Sequence, residues 1–194
     1  LTLREDFCGT FAVSCKWAKS DKNRQAVGLD ICPETLAWGI ENNLGKLKAK
    51  VAERVEVLEQ DVRSRTVPQV DVLAAQNFSF WCFKTRAEVV NYFKIAYENL
   101  GEKGVMVMDM MGGKECYASD VTDKRTIIKG KDGFKYHWEQ AYFNPVTADC
   151  SFFIHFKFGD GSMIKKAFDY HWRFWTIPEL SLIHISEPTR LSVI

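Results

Sequence analysis

No two cysteines in this 194-residue sequence stand in a C-x-x-C spacing; Cys8, Cys15, Cys32, Cys82, Cys116 and Cys150 are scattered along it. That argues against a zinc ribbon or a secreted disulfide frame, and a reducing cytoplasm is the expected compartment. His137, His155 and His171 never fall at metal-ligand spacing, so no metal is predicted. Basic and acidic residues nearly cancel, 26 against 25, and no basic run exceeds a few residues, which argues against an extended nucleic-acid surface held by counterion release. No apolar run approaches the roughly 18 residues of a membrane span, and the first residues lack a signal pattern. Repeats and low-complexity stretches are absent too. What is present, 46% hydrophobic and 26% charged, is the balance of an ordinary globular domain.

The positive signals begin at the first residue. Leu3-Arg4-Glu5-Asp6-Phe7-Cys8-Gly9-Thr10 reads as a short strand breaking into a glycine turn, and Ala12, Val13, Trp17 and Ala18 give helical spacing from Thr10 to Lys19. Gln25 to Asp30 is an apolar strand ending in an acid, and Pro33 suits the first position of a helix with Leu36, Ile40, Leu44 and Leu47 on one face. Arg54 to Leu58 and Val70 to Ala75 are further strands. Thr85 and Glu88 form a capping box for a helix packing through Val89, Phe93, Ala96 and Leu100, which Gly101-Glu102-Lys103-Gly104 ends before a fifth strand, Val105 to Asp109. Strands alternating with helices predict an α/β fold, a Rossmann-like, mostly parallel sheet with helices on both faces.

From about Lys124 the period changes to two, with turns at Asp132-Gly133, Asn144-Pro145 and Gly159-Asp160-Gly161, which predicts an antiparallel β-meander inserted on the α/β core. In it, Phe152, Ile154, Phe156 and Phe158 share one face and Ser151, Phe153, His155 and Lys157 the other. The expected division is a domain over residues 1–179, with a cofactor-binding core over 1–113 and the β insertion over 114–175. Residues 180–194 resemble one reading frame of a transposase adapter used in DNA sequencing libraries and are expected to be a non-native tail, the alternative being a short strand plus a polar tail. The domain is expected to be truncated at both ends, which would leave Val105 and Val107 on an exposed edge, lower the solubility of the fragment and leave it inactive.

A strand, a glycine turn, a helix and a second strand ending in an acid form the unit with which parallel α/β domains bind an adenosine cofactor. Asp30 stands where a carboxylate accepts from two ribose hydroxyls, or else it caps the helix starting at Pro33.

The motifs resemble those of class I S-adenosylmethionine-dependent methyltransferases, in a group with this type of first motif. The resemblance runs to about Glu179 through Asn77-Phe78-Ser79, Gly112-Gly113, Trp138-Glu139-Gln140, Asp160-Gly161 and Trp172-Arg173-Phe174-Trp175. Class I enzymes usually carry glycines where this chain has Phe7 and Phe11. The resemblance implies S-adenosyl-L-methionine as cofactor, held by Arg4, Glu5, Asp6, Cys8, Gly9, Thr10, Asp30, Ile31, Asp61, Val62, Asn77 and Phe78. In it Asp61 accepts from the adenine amino group and the Val62 amide donates to the ring. Glu5 aligns with the first-motif acid, although Glu5 or Asp6 could instead orient the turn through backbone amides. Arg4 meets the cofactor carboxylate or lies on the surface. Asn77 positions the acceptor, as in the loop of amine-methylating relatives, or satisfies backbone groups at a strand end.

A small-molecule acceptor is expected to lie against Arg86, Trp138, Tyr142 and Arg173; for the aromatic residues the competing reading is a sheet core of cross-strand pairs. Methyl transfer by in-line displacement is the leading function. The alternatives are an NAD(P)-dependent oxidoreductase, which wants G-x-G-x-x-G where Asp6 to Lys16 holds one glycine, and a non-catalytic nucleotide-binding module.

Overall fold

The computed structural model describes residues 1–127 and 133–186, and for 184–186 the backbone alone. The described residues form two units, one of 1–80, 86–110 and 181–186, the other of 81–85, 111–127 and 133–180.

The first unit is a five-stranded, wholly parallel sheet. Its strands are β1 (Thr2–Asp6), β2 (Gln25–Asp30), β3 (Val55–Glu59), β4 (Val70–Ala75) and β5 (Leu100–Met108), in the order β3-β2-β1-β4-β5. Parallel strands need crossovers; helix α1 (Ala12–Ser20) lies in that from β1 to β2, α2 (Pro33–Asn42) and α3 (Ala49–Ala52) in that from β2 to β3, and α4 (Arg86–Asn99) in that from β4 to β5, while β3 and β4 are joined without a helix. The order reverses direction beside β1, so the carboxyl ends of β1, β2 and β4 share the crevice where such sheets bind ligands. β5 is the sheet edge among the described residues, and Val105 and Val107 are about half exposed on it.

Several local expectations are corrected. The buried face of α1 is Ser14, Cys15 and Ala18, whereas Ala12 and Val13 face solvent. In α2 the buried positions are Leu36 and Gly39, and Ile40 is exposed. The helix stops at Asn42 and is followed by a turn of 3-10 helix, so Leu44 and Leu47 reach the cluster around Leu36 from outside it. Phe11 dictates this orientation. It is fully buried, and its ring lies where a side chain at Gly39 would project: a Cβ there would sit 2.6 Å from the ring and 2.7 Å from the Thr10 carbonyl oxygen. Gly101 to Gly104 does not end α4 ahead of the strand but lies within β5, whose register shifts between Val70 and Val72 on β4. A Cβ on Gly104 would meet the Val70 carbonyl at 2.9 Å, so the close approach requires glycine.

The second unit carries a four-stranded antiparallel sheet of β6 (Val121–Thr126), β7 (Phe134–Phe143), β8 (Asp149–Phe158) and β9 (Met163–Arg173), in sequence order. This is the expected meander. Asn144 closes one hairpin, its Oδ1 accepting from the Val146 and Thr147 amides, and Asp160 closes another by accepting from Ser162. Asp132 lies outside the described residues. Both faces of β8 are partly buried: Phe152 and Ile154 on one, Phe153 and His155 on the other. Helix α5 (Ile177–Ser186) runs through Leu180 to Ser186, where neither a tail nor a strand was expected to be helical; residues 187–194 lie outside the described residues.

Among the described residues no helix is long and apolar enough to cross a membrane, and no cluster of His, Cys, Asp and Glu could hold a metal.

Gly39→Ala should destabilise the protein by about 1–3 kcal/mol in urea denaturation, although alanine ordinarily stabilises a helix. Gly112→Ala, where a Cβ meets nothing within 4 Å, should stay within about 0.5 kcal/mol of the parent.

Candidate functional site

Because β1 to β5 are parallel, the residues at their carboxyl ends converge on one edge of the sheet. The turn after β1 is strained: Phe7 (φ 54°), Gly9 (φ 53°) and Phe11 (φ 44°) all adopt left-handed backbone. Two of the three are aromatic, and strain of about 1–3 kcal/mol per residue persists only where surroundings over-determine it. Those surroundings are visible. The Phe11 amide donates to the Cys8 carbonyl at 2.7 Å, and the Cys8 amide continues the ladder to the Leu29 carbonyl at 2.9 Å. Asn43 Nδ2 donates to the Thr10 carbonyl at 2.8 Å. Gly28 leaves room for the turn, since a Cβ there would sit 3.0 Å from the Cys8 sulfur and 3.2 Å from the Phe11 Cβ.

Asp30 ties this turn to the next. Its Oδ2 accepts from the Gly9 amide at 2.8 Å and its Oδ1 from the Cys32 amide at 3.0 Å. The second contact is an Asx turn onto Cys32, not a cap within α2, which has no side-chain cap. Asp30 stays partly exposed, and each oxygen keeps a further lone pair. Beside it Ile31 is 70% exposed, and Gly9 is open, since a Cβ on it would touch only Thr35 Cγ2 at 3.8 Å.

Glu5 points to the other side of β1. Its Oε2 accepts from the Ser14 amide at 2.7 Å and the Ser14 hydroxyl at 2.5 Å, so a buried carboxyl group caps the first turn of α1 from a distance. Burial raises its pKa, with the two Ser14 contacts opposing. Burial likewise pushes the Cys8 thiol up, which removes it as a nucleophile at neutral pH.

Arg4 and Asp6 differ from both sequence readings of Arg4. Neither side chain has any exposure, and Arg4 Nε donates to Asp6 Oδ1 at 2.7 Å. The rest of the guanidinium donates to the Val62 and Ser64 carbonyls and the Thr66 hydroxyl, while Tyr92 Oη donates to Asp6 Oδ2 at 2.9 Å. Both are thus engaged within the fold, not turned toward a ligand. Asp61 is engaged as well: Arg63 grips it through Nε at 2.9 Å and Nη2 at 2.6 Å, which lowers its pKa, while the side chain stays partly exposed. Val62 is buried, with its carbonyl used by Arg4.

At the end of β4 a second strained turn holds Asn77 (φ 56°) and Phe78 (φ 43°), and the Phe78 amide donates to Asp109 Oδ1 at 2.9 Å. Asn77 is exposed at this end of the sheet. Asp109, directly after β5, does for this turn what Asp30 does for the first. Sequence reasoning passed over it although the signal is the same, an acid closing a parallel strand. Arg86 begins α4 and is exposed.

The remaining acceptor candidates lie in the second unit. Trp138 stacks on Phe152 at 5.1 Å within the sheet, a cross-strand aromatic pair. Arg173 lies 3.6 Å over the Trp175 ring, pairs with Glu179 at 2.7 Å and donates to the Thr147 carbonyl, while its buried Nη1 has no hydrogen-bond partner among the described residues. Tyr142 is half exposed.

No family model and no curated protein matches the chain. Solved structures do. The CcbJ methyltransferase from Streptomyces caelestis superposes with a TM-score of 0.75 at 14% identity, over 95% of this chain and 71% of that one. CalS10, an amino pentose methyltransferase from Micromonospora echinaspora solved with S-adenosylmethionine bound, gives 0.73 at 14% identity over 95% and 73%. The sugar N-methyltransferase KedS8 from Streptoalloteichus sp. gives 0.70 at 13% identity over 95% and 70%. The fold is that of S-adenosylmethionine-dependent methyltransferases.

The buried Arg4–Asp6 pair sets a measurable expectation. Arg4→Met leaves a buried carboxylate without its counterion and should cost about 3–5 kcal/mol in urea denaturation, while Arg4→Met with Asp6→Leu should recover most of that loss. Arg63→Ala, at a half-exposed pair, should cost no more than about 1 kcal/mol.

Proposed function

We propose that the chain is a methyltransferase that takes its methyl group from S-adenosyl-L-methionine and delivers it to a small amine-bearing acceptor. The observation that carries this reading is Glu5. In dinucleotide-binding folds the helix after the first strand presents free amides to a pyrophosphate. Here a buried carboxyl group already occupies the first turn of α1, with its oxygen 2.7 Å from the Ser14 amide. A pyrophosphate would meet a donor already occupied by a buried carboxyl group, which disfavours a nicotinamide dinucleotide. S-adenosylmethionine has no phosphate and makes no demand on that donor.

The residues present fit that cofactor. Asp30 has lone pairs left for ribose hydroxyls, Ile31 offers apolar surface for the adenine, and Gly9 with Cys8 and Thr10 leaves the turn open for the amino-acid end. When bound, the cofactor supplies an electrophilic methyl group. The protein's contribution is alignment and exclusion of water, and no covalent nucleophile is needed. Asn77 and Phe78, held in a fixed turn by Asp109, are placed to orient an acceptor nitrogen. The similar structures include an amino pentose methyltransferase and a sugar N-methyltransferase, which supports an amino sugar as the acceptor class.

Titration calorimetry of the chain with S-adenosylmethionine and with NAD tests this directly. We expect binding of the first and none of the second, and Asp30→Ala should weaken it about 10- to 100-fold, as for loss of one or two charge-assisted hydrogen bonds. Binding of NAD alone would overturn the reading. Cofactor binding without transfer of labelled methyl to any of a panel of amino sugars and simple amines would favour a non-catalytic module.

A further inference from the structure

One face of the four-stranded sheet carries a row of lysine and histidine residues, none of them a candidate cofactor residue. Lys124 on β6 stands opposite His137 on β7, and His137 opposite His155 on β8. On β9 the pairing jumps from Phe168 to Ile164 while β8 advances from Ile154 to Phe156, so Lys165, Lys166 and Ala167 bulge beside His155. The row crosses all four strands, about 14 Å at the usual strand spacing. Next to it, Lys135 and Lys157 face each other across β7 and β8.

The bulge is a built feature. Lys166 adopts left-handed backbone (φ 50°), and its amide donates to His155 Nδ1 at 3.0 Å. With Nδ1 accepting, the His155 proton sits on Nε2, which donates to Glu139 at 2.7 Å. Bulges of this kind re-aim side chains beside functional sites. Here both Lys165 and Lys166 line a groove of about 550 Å³ together with Lys124, His137, His155 and Glu139. Glu139 is the one carboxylate of that lining, and His155 holds it. His137 is depressed below the ordinary histidine range, by desolvation first and then by the neighbouring cations, Lys124 foremost.

We propose that this groove binds a phosphate-bearing small molecule, its phosphate seated between Lys124, His137 and Lys165. The donors are ammonium and imidazole groups, and lysine ammonium groups bind phosphate as compact point charges. The groove is confined to one sheet face, and the chain's charge of +1 provides no track for a polynucleotide.

The test is calorimetry of the full chain with inorganic pyrophosphate, beside citrate and a short single-stranded oligonucleotide, with the parent and Lys124→Ala/Lys165→Ala. Both lysines are exposed, so the variant is expected to keep its fold. Pyrophosphate should bind the parent, bind the variant at least tenfold more weakly, and raise the His137 pKa followed by NMR of the imidazole protons. That last readout needs no variant. Undetectable binding, equal affinity for parent and variant, or an unmoved His137 would overturn the proposal. Citrate binding as tightly as pyrophosphate would overturn the phosphate assignment, and tighter binding of the oligonucleotide would overturn the small-molecule one.

Discussion

The first unit is organised around one strained turn. Between Phe7 and Phe11 the backbone passes three times through left-handed conformation, twice at residues with a Cβ, and nearby groups compensate. Asp30 pins Gly9 from the adjacent strand, Gly28 and Gly39 withdraw their side chains, Asn43 holds the Thr10 carbonyl, and Glu5 caps the helix that follows. Phe11 turns the strain to advantage: its ring becomes the centre of the cluster formed with Cys8, Cys15, Ala18 and Leu36. A glycine there would relieve the backbone and lose that packing.

The same economy explains three charged residues in the central strand. β1 reads Thr-Leu-Arg-Glu-Asp, yet its last four residues are buried. Alternation along the strand sends Arg4 and Asp6 to one face and Glu5 to the other. On the first face Arg4 binds the connection between β3 and β4 while Asp6 receives Tyr92 from α4, so one ion pair joins the central strand to a loop and a helix. On the second face Glu5 serves α1. Each charge is desolvated at a cost and repaid only by fixed partners, which makes the geometry of the turn resistant to drift.

Much of this was legible in the sequence, for physical reasons that differ by element. β2 and β4 appear at the expected residues because short apolar runs between turn signals admit few other outcomes. The meander was equally visible, since period-two alternation persists through β7 and β8. Asp30 could be singled out because an acid ending the second strand of such a unit has few other uses. Arg4, Asp6 and Asp61 were less accessible to sequence reasoning. Their partners, Val62, Tyr92 and Arg63, are set by the crossing of distant segments or by a side chain folding back two residues, and no local pattern encodes either. The face of α1 was misjudged for a related reason: Glu5 and Phe11 decide which residues turn inward, and both lie outside the helix. Asp109 carried the same signal as Asp30 and needed the strand order, with β4 beside β5, to acquire a role.

Under the proposed function, Asp30 and the turn it holds recognise the cofactor. Amide hydrogen exchange, resolved to single residues, tests that claim most directly when measured with and without saturating S-adenosylmethionine. Slower exchange at Gly9 and Cys32, with β6 to β9 unchanged, is the predicted result. Unaltered exchange at Gly9 and Cys32 with the cofactor bound, or protection produced by NAD in its place, would contradict it.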